Sequence, residues 1–237
     1  MTRTTNARLA GFAFLFYIAV AFPSMVLFNR ATSGAGLAAK LASIAQHASD
    51  LHLAVVLSLG GCFSALVLAV TLYAITRDED PDLALLGLTC RVGEGLIGAA
   101  SIPAPVALLQ LATATGQEAP DSAAVQALAA FVLEQTPLVS ALFFAAGSTL
   151  FAWLLLRGRM IPVALAWLGV LASVLLLVGL PLQLADVLHG PVTQLMWVPM
   201  AAYEIPLGFW LLFKSRPSVS NSSGGTISGD PARSPRI

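Results

Sequence analysis

The chain has 237 residues, of which 57% are hydrophobic and only 10% are charged, whereas a soluble domain carries roughly 25% charged residues. So few charged side chains cannot cover a globular surface, which excludes an ordinary soluble enzyme. Twelve basic and twelve acidic residues cancel, so the net charge does not point to nucleic acid as a partner.

Six apolar runs are long enough to cross a bilayer, which takes about 20 residues of helix. The runs are continuous, and lipid tolerates no unpaired backbone groups, so they predict helices. The predicted fold class is all-α: an integral membrane bundle of six transmembrane helices within residues 1–216, with the lipid bilayer as its surroundings. The predicted spans are approximately residues 9–28, 51–75, 83–102, 137–156, 161–180 and 195–213.

The first span has two interpretations. Arg3 and Arg8 precede it and Ala19-Val20-Ala21 resembles a cleavage site, as in a secretory signal peptide. The apolar run nevertheless continues to Phe28, which is long enough to span and favours a retained helix.

Four other segments have their own signals. Apolar residues recur at helical spacing over Ala35–Ala48, which predicts a helix on the outer membrane surface. Pro103 and Pro105 should end or kink the third span. Asp121 and Ser122 can cap a short helix, Ala123–Glu134, and residues 217–237, rich in Ser, Gly and Pro, predict a disordered cytoplasmic tail.

The basic residues predict how the chain is threaded. Nine lie in the segments on one side of the predicted membrane and two, Arg30 and Lys40, on the other. Positive residues favour the cytoplasmic side, so both termini are predicted to be cytoplasmic. The nine are Arg3, Arg8, Arg77, Arg157, Arg159, Lys214, Arg216, Arg233 and Arg236.

Three charged residues fall deep inside predicted spans, where charge is costly and usually retained for a reason. Arg91 and Glu94 are three residues apart on one helical face, and Glu204 lies at a similar depth in the last span. We expect a buried polar layer in which Arg91 pairs with Glu204, with Glu94 as the alternative partner. The excess acid is then either protonated or hydrogen-bonded to a partner such as Tyr203 or Gln110. The layer is either a structural ion pair or a site for a proton, an ion or a small solute.

A weaker set of candidates lies on the predicted outer side. Imidazoles and carboxylates together can bind zinc, but the set has neither cysteine nor a His-x₃-His pair, so we predict no metal. Cys62 and Cys90 lie within apolar runs and are interpreted as buried small residues. The sequence predicts no cofactor. The outer-side candidates are His47, Asp50, His52, Asp186 and His189.

Small residues four apart predict close helix contacts at Gly61/Ala65, Gly95/Ala99 and Gly169/Ser173. The serines within spans lack a His–Asp partner, so hydrogen bonding between helices is their expected role. They are Ser58, Ser64, Ser101 and Ser148.

Two classes of function remain open. The first is a non-enzymatic transporter, sensor or accessory subunit, which an aqueous cavity reaching Glu94 or Glu204 would favour. The second is a membrane enzyme acting on a lipid or quinone with His52 or Glu94 as its acid or base, which a lateral groove ending at His47, His52 and Asp186 would favour.

Four stretches of the chain resemble the membrane family known as domain of unknown function 4386. They are Ala7–Gly11; Leu72-Tyr73 with Arg91–Glu94; Arg157–Pro162; and Glu204 with Gly208–Lys214. The resemblance implies a multi-span bacterial inner-membrane protein and places the family's Arg and two Glu at Arg91, Glu94 and Glu204. Ser215 stands where a Gly commonly follows the last Lys. The resemblance implies no biochemical activity.

Overall fold

The computed structural model describes residues 2–113, 123–134 and 138–214, and every regular element in these ranges is a helix. The ten helices are α1 (Arg3–Ala31), α2 (Leu37–Gln46), α3 (Ala48–Thr76), α4 (Pro81–Ala100), α5 (Pro103–Thr113), α6 (Ala123–Glu134), α7 (Leu138–Arg157), α8 (Val163–Leu184), α9 (Val192–Leu195) and α10 (Val198–Lys214).

Six segments are long and apolar enough to cross a membrane. They contain α1, α3, α4, α7, α8 and α10, and these are the long helices of the bundle. The predicted fold class, an all-α membrane bundle of six spans, is confirmed. The cytoplasmic placement of both termini stays a prediction.

The first three long helices, α1, α3 and α4, begin before the apolar runs that predicted them. α1 begins at Arg3, where the side chain of Thr2 accepts a hydrogen bond from the backbone N–H of Thr5. α4 begins after Asp80, whose carboxylate accepts from the backbone N–H of Leu83 at 3.1 Å. Both contacts satisfy amide groups that the first turn of a helix otherwise leaves unpaired.

The third span ends at Ala100, and the chain then forms a separate helix. Pro103 is the first residue of α5, a position that suits its missing N–H and fixed φ. The segment after the third span is therefore a regular helix of 11 residues. α6 has the bounds predicted for it, whereas its predicted capping residues Asp121 and Ser122 lie outside the described ranges, as do residues 217–237.

The six long helices form a closed ring. Going round it, α1 packs on α3, α3 on α4, α4 on α7, α7 on α8, α8 on α10, and α10 on α1. Two helices separate α4 from α10 in either direction, so these two face each other across the ring. Side chains of α4 and α10 can therefore approach each other only in the interior of the ring.

Glycines bring several neighbours close together. A Cβ atom at Gly11 of α1 would lie 2.6 Å from the carbonyl oxygen of Gly208 in α10, and one at Gly95 of α4 would lie 3.1 Å from that of Cys62 in α3. Such notches let helices approach in lipid, where dispersion contacts and hydrogen bonds replace the hydrophobic effect. Gly61 faces Val20 of α1, and Gly169 faces the ring of Tyr203.

The outer surface of the ring is apolar. Large side chains such as Phe22, Phe63 and Leu171 are more than half exposed, and together with many others they exceed what a water-soluble monomer shows. A lipid environment accounts for this surface.

The short helix α2 contacts the protein and does not rest on a membrane surface alone. Its Ile44 is fully buried in a small cluster with Leu51, Leu108 and Leu109. The apolar spacing of this segment thus reflects packing against α5 and neighbouring helices, which modifies the expectation of a purely surface-lying helix.

Candidate functional site

Arg91 and Glu94 form a buried ion pair on one turn of α4. Arg91 Nη1 donates to Glu94 Oε2 at 2.7 Å, and the side chains are 1% and 6% exposed. Their spacing of three residues places them on the same helical face. In a low-dielectric interior such a charge-assisted bond neutralises both groups.

The packing around Arg91 fixes its position. A Cβ at Gly147 of α7 would lie 2.9 Å from Arg91 Cγ, so this glycine makes room for the arginine stem. The guanidinium carbon lies 4.8 Å from the ring centroid of Phe144 and 5.9 Å from that of Phe14. Aromatic faces attract a desolvated cation. The two rings belong to α7, which packs on α4, and to α1, which faces α7 across the ring.

Glu94 is also held by the neighbouring helices. The hydroxyl of Tyr17 on α1 donates to Glu94 Oε1 at 3.2 Å, and Ser140 on α7 donates to the backbone carbonyl of Glu94 at 3.0 Å. Three helices therefore meet at this residue. Because Tyr17 and Phe14 both come from α1, cleavage after Ala21 would remove two contacts of the site.

Glu204 lies in the same interior but takes no part in an ion pair within 4.0 Å among the described residues. It is 6% exposed, and its Oε1 is buried without a hydrogen-bond partner among the described residues. The expected Arg91–Glu204 pair is thus replaced by Arg91–Glu94, because α4 and α10 stand on opposite sides of the ring. Arg91 still acts on Glu204 electrostatically.

Among the described residues, neither Tyr203 nor Gln110 donates a hydrogen bond to Glu94 or Glu204. Gln110 is exposed on α5, far along the chain from the buried layer. Tyr203 is buried with its ring in the notch at Gly169, and Tyr17 is the tyrosine that donates to a buried carboxylate.

A cavity of about 820 Å³ runs from Glu94 along the C-terminal half of α1. At its deep end Tyr17 and Glu94 line it, and at the far end its lining includes Asn29 and Ser101, both exposed. The twelve steps from Tyr17 to Asn29 rise about 18 Å along a helix. The walls of the cavity thus include both exposed residues and a buried carboxylate.

The walls of the cavity come from α1, α3, α4, α5 and α7, with single residues of α6 and of the turn before α10. Ser24 and Ser58 join α1 to α3 through a hydrogen bond of 2.9 Å, and the hydroxyl of Ser24 also reaches the carbonyl of Ala54 at 2.9 Å. Serine hydroxyls here link helices, in agreement with the role expected for Ser58. Among the described residues that line the cavity, Glu94 is the one with a charged side chain.

The predicted outer-side set is divided between separate parts of the bundle. His47 contacts the carbonyl of Ser43 at 3.0 Å, and Asp50 lies 3.6 Å from Arg30. Asp186 and His189 pair with each other at 3.1 Å after α8, the helix that faces α3 across the ring. Among residues 2–113, 123–134 and 138–214, no three His, Cys, Asp or Glu side chains are placed to hold a metal ion.

His52 is exposed and does not line the cavity. His47 and Asp186 are likewise absent from its walls. A lipid or quinone enzyme was expected to have a groove that ends at these three residues. The cavity described above is a different feature, because none of the three lines it.

Besides Ser140, sequence reasoning missed four contributors to the site. Tyr17, Phe14, Phe144 and Gly147 all contact Arg91 or Glu94 from other helices. A usable signal existed for Tyr17, since it is a hydroxyl near the middle of a predicted span, at about the depth of Glu94. No local signal distinguishes Gly147 from other glycines in apolar helices.

A known protein family matches the chain over nearly the whole bundle. Residues 9–215 match the family described as Domain of unknown function (DUF4386). The chain belongs to this family. All six long helices of the DUF4386 protein fall mostly or entirely within the match, and the buried layer and the cavity are therefore parts of the family domain. Neither a curated protein nor a solved structure matches the chain.

Proposed function

We propose that this DUF4386 protein is a non-enzymatic protein of the bacterial inner membrane that binds a small solute for transport or sensing. The observation that supports this proposal is the cavity that ends at Glu94. Its volume of about 820 Å³ falls within the roughly 300–1,000 Å³ of small-molecule sites. A carboxylate in a cavity wall whose other described residues are uncharged is a natural anchor for a ligand.

The proposal requires that water-soluble molecules reach the cavity, and the two native cysteines test this. Cys62 lines the cavity, whereas Cys90, of similar intermediate burial, does not. The variant Cys90→Ser leaves Cys62 as the single thiol, and Cys62→Ser leaves Cys90 as the matched control. We expect a methanethiosulfonate reagent added to intact cells or proteoliposomes to label Cys62 much faster than Cys90.

Protection extends the same assay to ligand discovery. A molecule that occupies the cavity should slow labelling of Cys62 without changing that of Cys90. Equal, slow labelling of both thiols from either side of the membrane would show that the cavity is closed to water, and it would refute the proposed function.

A further inference from the structure

We infer that the ligand is an organic cation and that its binding releases a proton from Glu204, so that the site exchanges cation for proton. This inference rests on the proposed function and adds the ligand's charge and its coupling to protons. It follows from one juxtaposition in the described part of the chain. Glu94 is the single charged residue of the cavity wall, and in the layer behind it Arg91 is the one cation for two carboxylates, Glu94 and Glu204.

The cavity wall selects for positive charge. Among residues 2–113, 123–134 and 138–214, Glu94 is the only charged side chain in this wall, and Arg91, 1% exposed, is not among the lining residues. In this part of the chain an anionic ligand would therefore meet a carboxylate and no exposed cation. Tyr17, Phe28 and Trp197 add aromatic surface to the lining, which favours a cation with an apolar body.

Charge balance in the interior fixes the state of the site without ligand. Arg91 is neutralised by Glu94 at 2.7 Å. A second ionised carboxylate at Glu204, buried and with Oε1 unpaired among the described residues, would be an uncompensated charge of high cost. The neutral, protonated acid avoids this cost, so the resting layer holds one cation, one anion and one neutral acid.

The groups around Glu204 offer it no other counter-charge. Tyr203 precedes it on α10, Tyr17 approaches from α1, and Arg91 and Glu94 face it from α4. α8, which packs on α10, has no titratable side chain between Val163 and Leu184. Arg91 is therefore the one cation available to an ionised Glu204 among the described helices.

An arriving cation changes this balance in a defined way. When an ammonium group of the ligand pairs with Glu94, Arg91 becomes the uncompensated charge. Glu204 then releases its proton to water, and its carboxylate becomes the counter-ion of Arg91. The site holds two cations and two anions and remains neutral overall, with one proton released for each monovalent cation bound.

The structure contains the atoms that this second arrangement needs. Arg91 Nε is a buried donor and Glu204 Oε1 a buried acceptor, and each lacks a hydrogen-bond partner among residues 2–113, 123–134 and 138–214. Pro206, two residues after Glu204, has no N–H to donate within α10, which weakens the helix at this level. The exchange requires a movement of α10 at this level that brings Glu204 Oε1 within hydrogen-bond distance of Arg91 Nε.

The test compares two probes of matched shape on the purified full chain in detergent. Naphthylethylammonium has the cationic head, and naphthylethanol replaces it with a hydroxyl. Binding is measured by calorimetry in two buffers of different ionisation enthalpy, which gives the protons released, and by protection of Cys62 in the Cys90→Ser background. The variants are Glu94→Gln, Glu204→Gln and, as a control on an exposed loop, Asp78→Asn.

We expect the ammonium probe to bind at least about 10-fold more tightly than the alcohol, a difference of about 1.4 kcal/mol, with about one proton released per ligand. Glu94→Gln should abolish the preference. Glu204→Gln should weaken ammonium binding and abolish proton release while Cys62 remains accessible, and Asp78→Asn should behave as wild type.

Each other outcome overturns the inference. Equal binding of the two probes, or failure of both while Cys62 still reacts, refutes a cation site. Tight ammonium binding without proton release, or release that persists in Glu204→Gln, refutes the exchange. Loss of Cys62 labelling itself would instead refute the proposed function, so the two failures are distinguishable.

Discussion

A double-mutant cycle on the buried layer tests which carboxylate forms the ion pair with Arg91 in the absence of ligand. The substitution Arg91→Met keeps a flexible apolar stem in the notch at Gly147 and removes the charge. Glu94→Gln and Glu204→Gln each remove a carboxylate charge at nearly constant volume. Combining Arg91→Met with each Gln variant gives two cycles that share one member and differ only in the acid.

The size of the effect follows from the contacts. Breaking a buried ion pair in a soluble protein costs about 3–5 kcal/mol, but polar contacts within membranes are usually weaker, about 1–2 kcal/mol. Glu94 without Arg91 would keep the hydrogen bond from Tyr17 at 3.2 Å and can take up a proton. We therefore expect a coupling of about 1–2 kcal/mol for Arg91 with Glu94, and less than about 0.5 kcal/mol for Arg91 with Glu204.

The coupling is read from the free energy of unfolding of all six proteins in mixed micelles, without ligand and at one pH. For an interacting pair, the double variant should lose less free energy of unfolding than the sum of the losses of the two single variants. A larger coupling for Arg91 with Glu204 than for Arg91 with Glu94 would show that the resting pair is the one across the ring, and it would refute the charge assignment on which the exchange depends.

Three further predictions concern packing, capping and threading. Gly147→Ala should destabilise the protein by about 1–3 kcal/mol, because the new Cβ would lie 2.9 Å from Arg91 Cγ. The control Gly60→Ala, whose Cβ would have its nearest neighbour at 3.6 Å, should be neutral or stabilising through helix propensity. Thermal unfolding of both variants in detergent tests this, and equal effects would contradict the role of Gly147 in making room for Arg91. Asp80→Ala should cost about 1 kcal/mol, since it removes a helix cap worth about that much as well as a partially exposed pair with Arg157 at 3.2 Å, and Asp80→Asn should restore most of the loss by keeping the cap. A phosphatase reporter fused to the C-terminus should be inactive, as expected for a cytoplasmic terminus, and an active fusion would reverse the predicted threading.

The sequence determined the features that depend on neighbouring residues in the chain. Hydropathy is a local quantity, and each of the six long helices lies where an apolar run predicted it, within a few residues at either end. The pair of Arg91 and Glu94 is local in the same sense, because a spacing of three residues puts both side chains on one face of any helix. Their burial followed from their depth in a span.

Only the tertiary structure decided which helices are neighbours. Six apolar helices can pack in many neighbour orders that bury similar areas, because lipid solvates all apolar helix faces equally well and favours no particular helix–helix contact. The closed ring places α4 opposite α10, so Glu204 faces the layer without pairing with Arg91, and it brings Tyr17 of α1 to Glu94. The cavity likewise forms between helices that are distant in sequence, and no periodicity within one helix could have revealed it.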